Sequence, residues 1–445
     1  MLRTHTCGEL SKKDQGKKAV LAGWVNSIRT SGKIAFLDLR DRYGITQVFL
    51  GPKLSEQAKD ITKESIVQIK GEVKARPTPN KEIKTGEIEI KAEELTILNK
   101  AEPLPLQLEE DIKTTEETRL KYRYLDLRKE KMQKNIETRH KTVQIARQYL
   151  NEKGFLEIET PGLIKSTPEG ARDYIVPSRI QKGKFYALPQ SPQTMKQLLM
   201  IAGFDKYYQL ARCFRDEDLR KDRQPEFTQI DIEMSFAEEE DIMNLVEELV
   251  KKIWKEILGE KIGKIPRITY DEAIKKYKTD KPDLRNDKEK WAFVWVTDFP
   301  MFEKTKEGTI QAKHHPFTHP KNPELNLKTK AKAYDLVLNG EEIGGGSIRN
   351  HNAEIQRRIF KFLKLEEKEI MEKFGFLIKA LKYGAPPHGG FAFGLDRLSM
   401  LICEENSIRD VIAFPKTKEA EDLMLGAPAK VEKKQLDELG IELKK

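Results

Sequence analysis

Apolar residues alternate with polar ones in five short runs near the start of the chain, at 20–25, 34–39, 46–50, 65–73 and 87–95. That period of two predicts half-buried strands. A short helical stretch, 55–61, falls between the third and fourth runs. Five strands with a helix after the third is the order of an OB-fold barrel, a common platform for single-stranded nucleic acid. Further along the period changes. Met132, Ile136, Val143, Ala146 and Leu150 keep one stripe of a helix over 129–153, and Gly154 is placed to end it. Ile242, Leu245, Leu249, Ile253 and Ile257 do the same over 241–258. Between the two parts, residues 101–108 carry two prolines and lead into an acidic run, which reads as a linker. The expected organisation is α+β: a barrel over 1–104, a linker over 105–118 and a larger domain of mixed strands and helices over 119–445.

Composition narrows the picture only a little. A chain of 445 residues is too long for one ordinary core. No apolar run reaches membrane-spanning length and no signal-peptide stretch opens the chain, so a cytoplasmic protein without membrane contact is expected. Cys7, Cys213 and Cys403 are far apart and form no C-x-x-C pair, which fits a reducing compartment and argues against zinc. The net charge of +9 permits a polyanionic partner without requiring one. Residues 1–104 hold 19 Lys and Arg against 14 Asp and Glu, so much of that excess lies on the barrel. Neither a repeating βαβ spacing nor a GxxxxGK[ST] loop is present, so any ATP sits on another scaffold.

Four stretches carry candidate chemistry. Phe214, Arg215, Asp216 and Glu217 are followed by Arg220, Arg223, Gln224 and Phe227. An arginine there can grip a phosphate and an aromatic face can stack on a base, although such alternation also suits a self-paired surface loop. In the second stretch, Asn339-Gly340 between apolar alternations predicts a hairpin. Its register sets Val337 opposite Glu342 and Asp335 opposite Gly344. Asp335 and Glu342 then project from one face, where two carboxylates can share a magnesium ion. Three glycines, 344–346, follow and point to close approach by a ligand or to a bulge within the run. Strict alternation sends Arg349 to the opposite face from Glu342; a one-residue bulge in the glycine run brings them together. Third, Gly389 to Arg397 reads as a strand entering a helix whose first turn presents Arg397. Last, His314, His315 and His319 form a cluster. Adjacent histidines on a strand point to opposite faces and no cysteine is near, so substrate contact by one of them fits better than zinc.

Taken together these stretches resemble the signature motifs of class II aminoacyl-tRNA synthetases. Gly154-Phe-Leu-Glu-Ile-Glu-Thr-Pro161 is similar to motif 1, Phe214 to Glu217 to motif 2, and Gly394-Leu-Asp-Arg397 to motif 3, behind an OB-like domain as in subclass IIb. Ser166-Thr-Pro-Glu-Gly-Ala-Arg-Asp173, Gln190-Ser-Pro-Gln-Thr-Met-Lys-Gln197 and Gly344-Gly-Gly-Ser-Ile-Arg349 resemble aspartyl-tRNA synthetases of bacterial type. One departure stands out. Such members usually carry an extra domain inserted in the catalytic half, whereas here Lys281-Pro-Asp-Leu-Arg285 runs almost directly into Trp291-Ala-Phe-Val-Trp295. That loss puts accessory tRNA contacts in doubt and leaves the chemistry intact.

The resemblance implies an antiparallel sheet flanked by helices, a homodimer formed through motif 1, and a reaction using ATP and magnesium. L-aspartate is activated to aspartyl-adenylate and passed to tRNA(Asp), with tRNA(Asn) open as a second acceptor. Arg215 is the implied catalytic residue, on the α-phosphate and the attacking carboxylate. Asp216, Glu217, Gln224, Glu342, Gly394, Leu395, Asp396 and Arg397 are the implied ATP contacts, Phe227 the adenine stack, and Asp335 with Glu342 the magnesium ligands. Around aspartate stand Lys196 and Arg349 for its side chain, Gln193 and Asp231 for its ammonium, His314 or His315 closing over it, and Glu169 on a loop that closes on the substrate. On the barrel, Phe36 and Gln47 match positions that stack on and read anticodon bases, with Arg29 on the backbone. In the family a bulky residue in the loop after the first barrel strand goes with strict charging and histidine with relaxed charging. Ser31 stands there in the stretch 26–33, which reads as that loop. The competing readings are an asparaginyl-tRNA synthetase, a tRNA-free asparagine synthetase and a non-catalytic RNA-binding paralogue.

Overall fold

The computed structural model describes residues 2–109, 112–167, 170–286, 289–305 and 307–444. They fall into two compact units, Met1–Thr114 and Thr115–Lys445.

The first unit is a closed five-stranded barrel. Its strands are β1 (Lys18–Ser31), β2 (Ile34–Asp41), β3 (Gly44–Leu50), β4 (Ile66–Ala75) and β5 (Ile88–Asn99), in the order β1-β2-β3-β5-β4. Helix α1 (Pro52–Gln57) lies between β3 and β4, with proline in its first turn, where the missing N–H costs nothing. Leu21, Val25, Leu37, Leu39, Val48, Ile69 and Ile90 fill the interior, each burial contributing about 1.5–3 kcal/mol. This is the expected OB-fold, with one correction. Residues 26–31, expected as a loop, continue β1 beyond a bulge between Val25 and Ser27, and Ser31 pairs with Ile34 at the hairpin tip. The tip is exposed on both faces, so no apolar alternation marked it as strand. The expected linker also ends early, since a helix spans Glu116–Lys121.

The second unit is built on an eight-stranded sheet. Its strands are β6 (Leu156–Glu157), β7 (Lys206–Phe214), β8 (Glu226–Ser235), β9 (Arg267–Thr269), β10 (Phe293–Thr297), β11 (Ala333–Leu338), β12 (Glu341–Arg349) and β13 (His388–Gly394). The spatial order is β9-β10-β11-β12-β13-β8-β7-β6. The six inner strands are antiparallel as expected; the two edge pairs, β9 with β10 and β6 with β7, are parallel. Helices α2 (Glu130–Glu152) and α4 (Glu239–Leu258) bury their apolar stripes on one face, packing Leu150, Ile242, Leu249 and Ile253 against Ile230, Ile232, Phe391 and Phe393. A capping box between Glu238 and Asp241 starts α4, and Gly259 in the left-handed region ends it. Two further helices, α3 (Gln193–Ile201) and α5 (Leu395–Ile402), bring side chains to the site. On α3 the inward residues Gln193, Lys196, Gln197 and Met200 follow helical spacing, yet most are polar. A buried polar stripe of this kind needs partners, and the sheet supplies them.

Candidate active site

The hairpin between β11 and β12 shows how local sequence builds the site. Asn339 and Gly340 both take positive φ, 53° and 83°, the conformation a two-residue turn requires. Val337 faces Glu342 as expected, but Leu336 then faces Gly344 and Asp335 faces Gly345. The extra residue is Ile343, so the bulge lies just ahead of the glycines and not within them as expected. The three glycines stay in the ladder because their neighbours come too close for a side chain. A Cβ on Gly345 would collide with the Asp335 carboxylate, and one on Gly346 with the carbonyl of Gly390. With one residue inserted at Ile343, Glu342, Asp335 and Arg349 share a face.

That face opens into a cavity of about 450 Å³. Arg215, Glu217, Gln224, Phe227, Gly394, Asp396 and Arg397 line it together with Gln193, Lys196, Asp231, both His314 and His315, Asp335, Glu342 and Arg349. The four candidate stretches, far apart in sequence, therefore meet in one place. Of the expected site residues, Leu395 is in the apolar core and Asp216 pairs with Arg172 at 3.4 Å outside the cavity lining. Glu169 lies outside the described residues.

Two charge networks line the walls. In the first, Lys196 Nζ reaches Asp231 Oδ1 at 2.6 Å and Glu233 Oε2 at 3.2 Å. Arg349 grips Glu233 through Nε and Nη2 at 2.9 and 3.1 Å. Burial lifts the Asp231 carboxyl above its usual range, against the pull of Lys196. Burial acts on Glu233 too, but Arg349 and Lys196 outweigh it and hold that carboxyl below the usual range. Asp231 Oδ2 accepts no hydrogen bond from any described residue, and Gln193 Nε2 donates none to any. The hydroxyl of Tyr207 donates to Gln209 at 2.9 Å. The third nitrogen of Arg349, Nη1, meets neutral groups among the described residues: Ser347 Oγ at 2.6 Å and His315 Nε2 at 2.8 Å.

In the second network, Glu342 pairs with Lys281 at 2.7 Å, and Arg397 pairs with Asp222 at 3.1 Å while donating to the carbonyl of Glu342. Burial and the neighbouring Glu342 push the Asp335 carboxyl well above the usual range. Glu342 is pushed up by burial but held below the usual range by Lys281 and Arg397. Two carboxylates facing one cavity are a hard-oxygen set of the kind magnesium uses alongside substrate phosphates. Among the described residues no third metal-binding side chain completes a closed site.

The remaining contacts sort the candidates further. The Arg215 guanidinium lies over the Phe227 ring, 5.0 Å from its centre. Gln224 is occupied at both ends of its amide: Oε1 accepts from Lys416 N at 2.7 Å and Nε2 donates to Lys416 O at 3.0 Å. Asp396 likewise accepts from Arg139 and from the backbone of Thr228. These two hold the cavity wall together. His314 and His315 both reach the cavity because their segment is not a strand, so the alternation argument does not apply. The histidine rings are neutral: burial holds His314 down to about 4 and His315 well below its ordinary value. Glu233, Lys281, Lys313 and Asp222 were not anticipated. Glu233 could have been, as it stands two residues from Asp231 on the same face of β8.

Residues 115–418 match the family of class II tRNA synthetases for D, K and N, and residues 19–98 match the OB-fold nucleic acid binding domain. The chain is 46% identical to an aspartate–tRNA ligase of Thermosipho africanus, covering all of this chain and 98% of that protein. The chain belongs to the aspartate–tRNA ligase family. An aspartate–tRNA(Asp/Asn) ligase of Thermotoga neapolitana is 44% identical, with both chains fully covered. The first alignment runs over 572 positions against 445 residues here, so the relative carries a long stretch that this chain lacks. In solved structures, the asparaginyl-tRNA synthetase of Pyrococcus horikoshii with asparaginyl-adenylate superposes with a TM-score of 0.78 at 25% identity, covering 94% of this chain and 99% of that one. Among the described residues no helix is long and apolar enough to cross a membrane.

Proposed function

We propose that the cavity activates L-aspartate with ATP, in the cytoplasm and as a homodimer, and passes it to tRNA(Asp) and also to tRNA(Asn). The observation that carries the choice of amino acid is the buried set Lys196, Asp231, Glu233 and Arg349. Among the described residues no donor reaches Asp231 Oδ2 with hydrogen-bond geometry, which suits it to an ammonium group. Among the described residues Arg349 Nη1 holds neutral partners, His315 and Ser347, that a carboxylate can displace. An amide side chain brings this cation no negative charge and one acceptor oxygen in place of two, which disfavours asparagine. The relatives at 44% and 46% identity are named for aspartate, which also weighs against an asparaginyl enzyme. Arg215, Glu217, Phe227, Glu342 and Arg397 all line the cavity, which weighs against a non-catalytic paralogue, and the barrel weighs against a tRNA-free synthetase.

The α-carboxylate of aspartate attacks the α-phosphorus of ATP. A new P–O bond forms as the bond to pyrophosphate breaks. The terminal hydroxyl of the tRNA then attacks the acyl carbon and AMP departs. Arg215 neutralises the α-phosphate and orients the carboxylate, while adenine slots against Phe227. Arg397 binds the far phosphates. Asp335 and Glu342 would hold magnesium, which supplies charge neutralisation at the phosphate oxygens when bound. With no protein nucleophile, positioning and preorganised charge do the catalysis.

For the partners, Phe36, Phe49 and Arg29 lie on one outward face of the barrel strands, and Gln47 lies on the same face but is buried. The two rings meet edge to face at 5.7 Å, and Gln47 donates to Glu89 at 2.7 Å. A base-stacking platform is supported by this arrangement. Dimerisation through motif 1 is supported by the edge strand β6, where Leu156 is exposed.

Aspartate-dependent ATP–pyrophosphate exchange tests the proposal. Exchange with aspartate and none with asparagine is expected, and equal exchange with both would refute the specificity argument. Arg349→Leu should damage aspartate use far more than ATP binding.

A further inference from the structure

Lys281 is a cation of the cavity to which the reading above gives no role. Its ammonium pairs with Glu342 Oε2 at 2.7 Å, and its side chain is 38% exposed. The backbone beneath it is well seated. Lys281 N–H donates to Thr279 Oγ1 at 3.1 Å, and Arg285 clamps Asp283. The Gly340 turn packs onto this segment, so that a Cβ there would lie 3.5 Å from Asp283 Cβ and 3.8 Å from Lys281 O. The hairpin that carries Asp335 and Glu342 therefore also fixes the root of Lys281. The ammonium itself remains on a flexible four-carbon stem facing an open cavity. Among the described residues no cation makes an ion pair with Asp335; Lys281 pairs directly with Glu342 and acts on Asp335 only through its charge.

A divalent cation held by Asp335 and Glu342 competes with Lys281 for Glu342. A polyphosphate arriving at the same time offers the displaced ammonium a new anionic partner in the same cavity. We propose that Lys281 is a displaceable counter-ion, neutralising Glu342 in the empty site and moving onto the far phosphates of ATP when the nucleotide and its metal bind. Metal binding without nucleotide is then opposed, and the two are favoured together. This rests on the ATP reading above and adds a positioning residue to it.

The test uses the full chain with Lys281→Met and, to retain the charge, Lys281→Arg. Manganese binding without nucleotide is followed by electron paramagnetic resonance. Binding of ATP and of AMP, each in chelator, is followed by calorimetry. Lys281→Met should bind manganese about tenfold more tightly and ATP about tenfold more weakly, about 1.4 kcal/mol each way. AMP, which lacks the far phosphates, should bind unchanged, and Lys281→Arg should stay near the unsubstituted protein. A merely structural role would not tighten metal binding. Unchanged or weaker manganese binding in Lys281→Met, or equal losses for ATP and AMP, would overturn the proposal. Failure of the ligase reading is separate, since it would appear as absent aspartate-dependent exchange in the unsubstituted protein.

Discussion

Lys196 and Asp231 meet at 2.6 Å with their side chains 2% and 1% exposed, and the second oxygen of Asp231 takes no hydrogen bond from any described residue. An ion pair at this depth leaves an uncompensated charge if one partner is removed. Asp231→Asn keeps the shape but gives up the negative charge that would hold a substrate ammonium. Its Michaelis constant for aspartate in pyrophosphate exchange should rise at least a hundredfold, about 2.7 kcal/mol, with ATP binding little changed. An unaltered constant for aspartate would remove Asp231 from the amino-acid site.

A second prediction concerns the carboxylates across the cavity. Asp335 and Glu342 share one face through the bulge at Ile343. Glu342→Ala should lower exchange at every aspartate concentration, and the loss should ease partly as magnesium is raised. A defect that aspartate alone repairs would assign Glu342 to the amino acid instead.

The third concerns pH. Burial, then the charge of Arg349, holds His315 well below its ordinary 6.5, so the folded protein keeps the ring neutral where the unfolded chain protonates it. The stability is fully present above pH 6.5 and drains away as the pH falls below it, because the unfolded state binds the extra proton. His315→Asn should reduce the slope of unfolding free energy against pH, measured by urea titration between pH 5 and 6.5, by an amount that approaches about 1.4 kcal/mol per pH unit towards pH 5. An unchanged slope would mean that His315 titrates alike in both states.

Much of this site was legible in the chain because its geometry is local. The Asn339-Gly340 turn fixes a two-residue hairpin, and period-two alternation then places Asp335 with Glu342. What alternation does not give is where an extra residue is inserted. The bulge fell at Ile343 because the glycines are needed for close strand approach beside Gly390 and Asp335. Gln224 and Asp396 show the other limit. Their partners, Lys416 and Arg139, are remote in sequence, so nothing near either residue reveals that its polar atoms are already engaged. The tip of β1 was missed for a third reason. A strand exposed on both faces has no burial pattern to leave in the sequence.

On the barrel, Phe36 lies outside the apolar interior formed by its neighbours Ala35 and Leu37. Phe36→Ala should raise the Michaelis constant for tRNA about tenfold, in line with about 1–3 kcal/mol for stacking a base on an aromatic ring. Pyrophosphate exchange should be intact. Loss of exchange in this variant would make the residue a structural support.

The final prediction is relaxed charging. The aspartate and asparagine anticodons differ in their last base, cytosine against uracil, an amino donor against a carbonyl acceptor. Telling them apart takes a placed partner or a steric block. Ser31 ends β1 at an exposed hairpin tip, pairing with Ile34 around a turn in which Gly32 has a φ of 60°. It is neither the bulky residue that goes with strict charging nor the histidine that goes with the relaxed form. Its small side chain leaves room for either base and adds no strong preference. Charging both unmodified transcripts side by side at saturating aspartate should give comparable rates, and Ser31→Leu should slow the asparagine transcript more than the other. A preference of a hundredfold or more for the aspartate transcript, about 2.7 kcal/mol, would show that discrimination is achieved elsewhere on the barrel.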